Sequence, residues 1–147
     1  MAITKRKDII NDLLYRMGLI RKIQGYDTDI YTVARHRDTA EEPFNLDEVP
    51  ALNVVDGKGA ITHLVSDDEH ALDVRLSVVT SSRVSASEVD DIIGDVLKCI
   101  EANSTWGGHA DGTRAESHTI DLSQGGDTIT SGIIDIVIDY TTEKGKA

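Results

Sequence analysis

The segment ALDVRLSV at residues 71–78 and the segment VDDIIGDVLKCI at residues 89–100 decide the fold of this chain. In the first, apolar residues occupy every second position, which predicts a β-strand with one apolar and one polar face. In the second, apolar residues recur at helical spacing, which predicts a helix with one apolar stripe. Together they predict a sheet that is covered by a helix on one face. The other face must then meet water, a lumen or a neighbouring molecule.

A serine-rich turn connects the predicted strand to the predicted helix. Ser85 is followed three residues later by Glu88. This is the spacing of a capping box, in which each side chain satisfies a backbone amide that the helix leaves unpaired. The sequence therefore places the start of the helix at Ser85.

The rest of the chain supplies one more helix and four more strands. The periodicity predicts a helix over 5–24 with Gly25 as its C-cap, a strand over 26–36 and an acidic surface loop over 37–49. It then predicts a short strand over 51–55 that ends in a turn at 56–59, continued by 61–65 and broken at 66–69. Strands at 114–122 and 132–140 and a frayed tail at 141–147 complete the prediction.

The resulting order is α-β-β-β-α-β-β. It predicts an α+β fold in which two helices pack on one face of an antiparallel-rich mixed sheet. The chain has 147 residues, which favours a single domain over residues 1–147.

Charge is distributed unevenly along the chain. Residues 1–24 carry six basic and two acidic side chains, a net charge of +4, whereas the remainder carries nine basic and 24 acidic side chains, a net charge of −15. The acidic body argues against a protein that grips nucleic acid through its phosphates. The basic first helix either docks on an acidic surface of another copy or is a solvated face. Its basic residues are Lys5, Arg6, Lys7, Arg16, Arg21 and Lys22.

Membrane insertion and disulfide bonding are not expected. No apolar run approaches the length of about 18 residues that spans a bilayer, and residues 1–8 have charges but no apolar segment typical of a secretory signal. A single cysteine, Cys99, cannot form an internal disulfide, which favours folding in a reducing cytoplasm. Because Cys99 adjoins the apolar stripe of the second helix, we interpret it as a packing residue.

The segment Trp106–His118 is the best sequence candidate for chemistry. It combines His109, Asp111, Glu116 and His118 among glycines. However, it has no H-E-x-x-H pattern and no cysteine pair, and chains with metal sites usually show such spacing. No phosphate-binding loop or nucleophile elbow is present either. We therefore expect no enzyme activity and no cofactor.

Four features in order resemble the tail terminator proteins of long-tailed bacteriophages, the family of the lambda tail terminator. These are a short amphipathic first helix, the strand VPALNV at 49–54 after an acidic loop, the strand LDVRL at 72–76 followed by the helix 88–100, and a terminal IVIDY strand at 136–140. The resemblance covers nearly the whole chain, and the family has no catalytic motif to carry over.

The resemblance implies a structural virion protein, made in the host cytoplasm, that forms a hexameric ring at the head-proximal end of the tail tube. Such a ring stops polymerisation of the tail tube protein, presents a surface to a neck or head-completion protein and lets DNA pass through its lumen. An acidic lumen would not bind the phosphates of DNA. Acidic residues in the loop 38–48 or in the segment 111–127 are candidates for the lumen or rim, and those of the loop include Glu41, Glu42, Asp47 and Glu48.

Other functions stay open at this point. Head–tail joining and tail-completion proteins have similar size and acidity. A small-molecule or metal-binding module that uses the Trp106–His118 segment belongs to a different class, as does a hydrolase with an unrecognised site. Either of these would be a compact monomer or dimer, whereas an assembly protein would form a ring of several copies.

Overall fold

The computed structural model describes residues 4–144. It contains two α-helices and one five-stranded mixed sheet, which confirms the predicted α+β class and the order α-β-β-β-α-β-β. The helices are α1 (Lys5–Met17) and α2 (Ala86–Ala102), with a 3-10 turn at Lys22–Gln24. The strands are β1 (Thr32–Arg35), β2 (Ala51–His63), β3 (Asp67–Ser81), β4 (Gly112–Ile120) and β5 (Thr128–Glu143).

The sheet has the strand order β1-β2-β3-β5-β4. Only the β1–β2 pair is parallel among the described strands, and the other three pairs are antiparallel. β3 lies at the centre and pairs along most of its length with β2 and β5. The segment at residues 71–78 is therefore part of the central strand of the sheet.

Both helices pack on the same face of the sheet, as predicted. The apolar residues of the central strand and of both helical stripes are buried in one cluster. The N-terminus of α2 is also where the sequence places it, because the Ser85 hydroxyl accepts a hydrogen bond from the Glu88 amide at 3.2 Å. The cluster includes Ile9, Ile10, Leu13, Met17, Leu72, Val74, Leu76, Val78, Val89, Ile92, Ile93, Val96 and Ile100.

A glycine in β5 sets the distance between α2 and the sheet. A Cβ atom at Gly132 would lie 3.3 Å from Val89 Cγ1 and 3.4 Å from Ile93 Cδ1. Those contacts are tighter than side chains normally make in a close-packed interior. The absence of a side chain at Gly132 therefore lets α2 approach the strand closely.

The turn predicted at 56–59 is wrong. β2 continues through these residues to His63, with an irregularity in the β2–β3 register between Asp56 and Gly59. Glycine fits such a bulge because it tolerates the local change in backbone conformation. The chain reverses at 64–66, where the Leu64 amide donates to the Asp67 carbonyl at 2.9 Å. Residues 67–69, predicted as a break, open β3.

The first helix and the first strand are both shorter than predicted. α1 ends at Met17, and Gly25, predicted as its C-cap, instead closes the 3-10 turn with φ of 91°. Residues 26–31 form a loop because the Asp95 carboxylate of α2 accepts hydrogen bonds from the backbone amides of Asp27 and Thr28 at 3.1 and 2.7 Å. These amides are thereby removed from strand pairing.

The last two strands are shifted or longer than predicted. β4 begins two residues earlier and ends two residues earlier than the predicted 114–122. β5 extends beyond the predicted 132–140 in both directions, and its pairing with β3 includes Thr141, Thr142 and Glu143. That part of the predicted tail is ordered strand, while residues 145–147 lie outside the described residues.

Candidate assembly surface

The sheet face opposite the helices carries the polar residues of the central strands. Asp73, Arg75 and Ser77 of β3 point to this face, and the register places Arg75 beside Val55 of β2 and Asp135 of β5. Two shallow grooves, of about 450 and 340 Å³, run along it. We call this surface the open face.

The open face is acidic. Arg75 and Arg114 lie among its carboxylates, and both are already ion-paired: Arg75 with Asp135 at 2.9 Å, and Arg114 with Asp139 and Glu116. Six acidic residues against two arginines leave this surface with a net charge of −4. Because the arginines are paired, no unpaired cation of this set remains to bind phosphate. The six acidic residues are Glu69, Asp73, Asp111, Glu116, Asp135 and Asp139.

The acidic loop 37–49 folds over one end of the open face. Phe44 is buried there against Ala51 and Val79 in a second, smaller apolar cluster. Arg37 stacks on the Phe44 ring at 4.1 Å and pairs with Glu48 at 2.8 Å. The loop is therefore held in place by packing as well as by charge.

The acidic residues predicted in this loop differ in whether their carboxylates are bound within the chain or exposed at its surface. Glu48 is bound to Arg37, and the hydrogen bond from this guanidinium lowers the pKa of the Glu48 carboxyl. Glu41, Glu42 and Asp47 have exposed side chains. These three carboxylates add negative charge at the end of the open face.

Three of the six basic residues predicted at an interface are bound within the chain itself. The Lys5 ammonium donates to the Thr141 carbonyl at 2.7 Å, and Arg6 pairs with Asp56 at 2.9 Å. Arg16 donates to the Asn103 side chain at 3.0 Å. The contacts of Lys5 and Arg6 offset the unfavourable position of cations at the N-terminus of α1, whereas Arg16 lies in the last turn, where the helix dipole favours a cation.

The other three basic residues form no ion pair within residues 4–144. Lys7 and Lys22 are exposed, and Arg21 stacks on the Tyr31 ring at 5.0 Å. Within residues 4–144, no ion pair joins any of the six to Glu41, Glu42, Asp47 or Glu48. An intermolecular role for this basic surface stays a prediction, and it now concerns Lys7, Arg21 and Lys22.

A buried carboxylate in β2 joins three elements. The Asp56 side chain is only 2 % exposed and forms ion pairs with Arg6 of α1 and Arg35 of β1 at 2.9 and 2.8 Å. His36 Nε2 lies 3.0 Å from the same carboxylate. Burial by itself would raise the pKa of Asp56, but hydrogen bonds from Arg35 and Arg6, together with their charges, hold it well below its usual range.

Sequence reasoning missed Asp56 because it placed the residue in a turn. The alternation of inward and outward positions along β2 indicates that Asp56 faces the core. Asp56 lies two positions after Val54 and four positions after Leu52, and both of these face the core. A carboxylate at an inward position needs cationic partners. The nearby Arg35 and the cationic start of α1 could have supplied that expectation.

The Trp106–His118 segment is built around a packing residue. Trp106 is fully buried, and its indole Nε1 donates to the Thr113 hydroxyl at 2.7 Å. His109 and His118 are exposed. Across residues 4–144, no three His, Cys, Asp or Glu side chains are grouped so that they could hold a metal ion.

The turn between β2 and β3 exposes apolar side chains that sequence reasoning also overlooked. Val65 is fully exposed at its tip, and Leu64 and Ile61 beside it are about half exposed. The signal was two consecutive apolar residues where turns usually carry polar ones. We call Ile61, Leu64 and Val65 the apolar tip.

The comparisons with known proteins leave the family open. No protein-family profile matches the sequence, and no curated protein matches it significantly. None of the helices in the described part of the chain is both long and apolar enough to cross a membrane.

Proposed function

We propose that this chain is a structural, non-catalytic subunit of a bacteriophage tail terminator, which assembles into a ring at the head-proximal end of the tail tube. The observation that carries the proposal is the two-sided sheet, covered by both helices on one face and bare and acidic on the other. A polar sheet face of this kind can be solvated in a monomer, but it is also available to line a channel. In a ring, the open face can line the lumen.

The charge of the open face suits the passage of DNA. A net charge of −4 on each subunit, repeated around a ring, repels phosphate along the whole lumen. DNA could then slide through without being held, since stable binding requires clustered lysine and arginine. Glu41, Glu42 and Asp47 would extend the same repulsion to one rim.

The ends of the sheet limit how copies can join. β1 has only four residues, and β4 has a bulge between Ala115 and Ser117 with charged side chains around it. Short, bulged and charged edges discourage pairing between strands of different molecules. Copies therefore meet through side-chain surfaces, and a head-to-tail contact of this kind closes into a ring when the rotation per subunit divides a full turn.

The first test is the mass in solution, measured by light scattering at low and moderate salt, with and without purified tail tubes. We expect a mass near six subunits, or about six copies bound at each tube end, as the family resemblance implies. A ring that binds neck proteins but ignores tubes would favour the head–tail joining alternative. A persistent monomer that ignores tubes would contradict the proposal and make His109→Ala and His118→Ala the next variants.

The role of the lumen can be tested separately. In assembled rings, replacing Glu69 and Asp73 by lysine should produce salt-dependent retention of linear DNA, because the reversed charges give phosphate a partner. Closed circular DNA should not be retained, since a preformed ring cannot be threaded onto it. Asp90→Lys with Glu101→Lys, on the exposed face of α2, is the matched control and should bind both DNA forms equally. If the open-face variant retained linear and closed circular DNA equally, the open face would not line the lumen.

The cations of the first helical region that form no ion pair within residues 4–144, Lys7, Arg21 and Lys22, provide a third test. Arg21→Glu should lower the fraction of assembled protein at low salt if this basic surface meets an acidic surface of the next copy. Lys58→Glu makes the same charge change at an exposed position of β2 and serves as the control. If both variants assemble equally well, the basic surface is a solvated face.

A further inference from the structure

The apolar tip stands at the end of a rigid extension of the sheet. β3 and β5 stay paired as far as Asp67 and Glu143. Just below the tip, the buried Asp68 carboxylate pairs with His63 at 2.8 Å and Lys144 at 3.2 Å. A preformed tip loses little conformational entropy when it binds a partner.

The same extension is locked by an aromatic pair. The His70 ring stacks on the Tyr140 ring with centroids 4.5 Å apart and planes within 3° of each other. His70 Nε2 also lies 2.8 Å from the Thr142 hydroxyl. This buried contact ties β3 to β5 directly beneath the exposed apolar residues.

A groove of about 360 Å³ lies at the opposite end of the sheet, where β2 begins and β3 ends. Its walls are mainly apolar, and Arg83 and Glu88 are its charged lining residues. Leu46 on one wall is more than half exposed, so this apolar surface is not used by the chain itself. The apolar lining residues are Leu46, Val49, Pro50, Val84 and Ile92.

The tip cannot reach the groove of its own chain. β3 spans 15 residues between the two sites, which is about 50 Å of extended strand. Any contact between tip and groove must therefore join two molecules. Because the two surfaces are different and lie at opposite ends, the contact is head-to-tail.

We propose that the apolar tip of one copy inserts into this groove of the next copy. The proposal deepens the ring function proposed above and rests on it, since it names the contact between neighbouring subunits. Val65 and Leu64 provide the inserted side chains, and the apolar groove walls desolvate them. A central apolar anchor of this kind commonly dominates the affinity of an interface.

Charge complementarity favours a second copy as the occupant. Asp67 lies two residues after Val65 of the tip, and Arg83 lines the groove together with Glu88. Neither Asp67 nor Arg83 forms an ion pair within residues 4–144. Insertion of the tip would bring these opposite charges together at the edge of the contact, where their attraction would orient one copy relative to the next.

Cross-linking of single-cysteine variants tests the geometry. In a Cys99→Ala background, Val65→Cys protein is mixed with Leu46→Cys protein under conditions in which light scattering shows assembly, and a short bismaleimide is added. We expect a cross-linked dimer in the mixture and little in either variant alone. A dimer formed by Val65→Cys alone would indicate tip-to-tip contact and overturn the proposal, as would the absence of any cross-link in assembled protein.

Assembly of charged variants tests the energetics. Val65→Asp should weaken self-association by more than about tenfold, because truncation of a central anchor typically costs that much. Ala102→Asp, at an exposed position at the end of α2 that lies outside the tip, the groove and the basic surface, is the control and should assemble normally. Asp67→Arg and Arg83→Asp should each weaken assembly, and the double variant should restore it.

The outcomes separate this contact from the wider function. Normal assembly and tube binding by Val65→Asp would overturn tip insertion and leave the terminator proposal standing. Assembly that depends on Val65 but is indifferent to tail tubes would support tip insertion and contradict the terminator proposal. A parent protein that is monomeric under every condition would overturn both.

Discussion

The Arg6 guanidinium lies 2.9 Å from the Asp56 carboxylate and joins the first turn of α1 to the middle of β2. Arg6 is about one third exposed, whereas Asp56 is almost completely buried. The carboxylate therefore depends on its arginine partners to remain charged inside the fold. The same contact occupies one of the cations that would otherwise be available for a neighbouring molecule.

Replacing Asp56 by asparagine should lower the free energy of unfolding by about 2–3 kcal/mol, as measured by urea denaturation. Loss of one partner from a fully buried pair costs about 3–5 kcal/mol, and the smaller value is expected because Arg6 and Arg35 can be rehydrated. Asp73→Asn on the open face is the matched control, with an expected change within about 0.5 kcal/mol. Equal stability of the two variants would show that the buried carboxylate is not needed.

The stability of the parent should fall in acid partly because of Asp56. Its pKa is lower in the folded than in the unfolded protein, so the folded state binds fewer protons. The contribution is therefore present above the ordinary aspartate pKa of about 3.9 and is lost as the pH falls below it. Between pH 6 and pH 3, the free energy of unfolding obtained from denaturation curves should fall more steeply with decreasing pH for the parent than for Asp56→Asn. Parallel profiles would contradict this assignment.

Ile93→Ala should destabilise the protein by about 2–5 kcal/mol, because it opens a cavity between α2 and the sheet. Leu97→Ala should cost less, since Leu97 is only partly buried at the margin of the same core. Ile23→Ala, at an exposed position, should leave the melting temperature nearly unchanged. Thermal unfolding of all three variants measures the order of their melting temperatures. If Ile93→Ala melted at the same temperature as the parent, the packing of α2 on the sheet would be disproved.

Two glycine substitutions should have opposite signs. Gly94 lies in the middle of α2, and a Cβ atom there would meet nothing within 4 Å. Gly94→Ala should therefore stabilise the protein by about 0.5–1 kcal/mol through helix propensity. Gly132→Ala should destabilise it, because the new methyl group crowds Val89 and Ile93. Chemical denaturation of both variants in parallel measures the contrast.

The acidic loop shows how a correct local prediction can miss a structural role. Composition identified residues 37–49 as an irregular, acidic loop, and the structure agrees. It did not indicate that Phe44 would anchor the loop against Ala51 and Val79. That contact joins residues far apart in sequence, so no periodicity within the loop announces it.

Local periodicity was sufficient to define the central strand, the second helix, the shared helical face and the α+β class. Alternation and helical spacing report which side of an element is apolar, and an apolar side must be buried. The length of the β2–β3 hairpin, the burial of Asp56 and the separation of the apolar tip from its groove required the tertiary structure. These features arise from strand register and from contacts between distant segments, where ladder hydrogen bonds and long-range ion pairs outweigh the local preference of glycine and aspartate for turns.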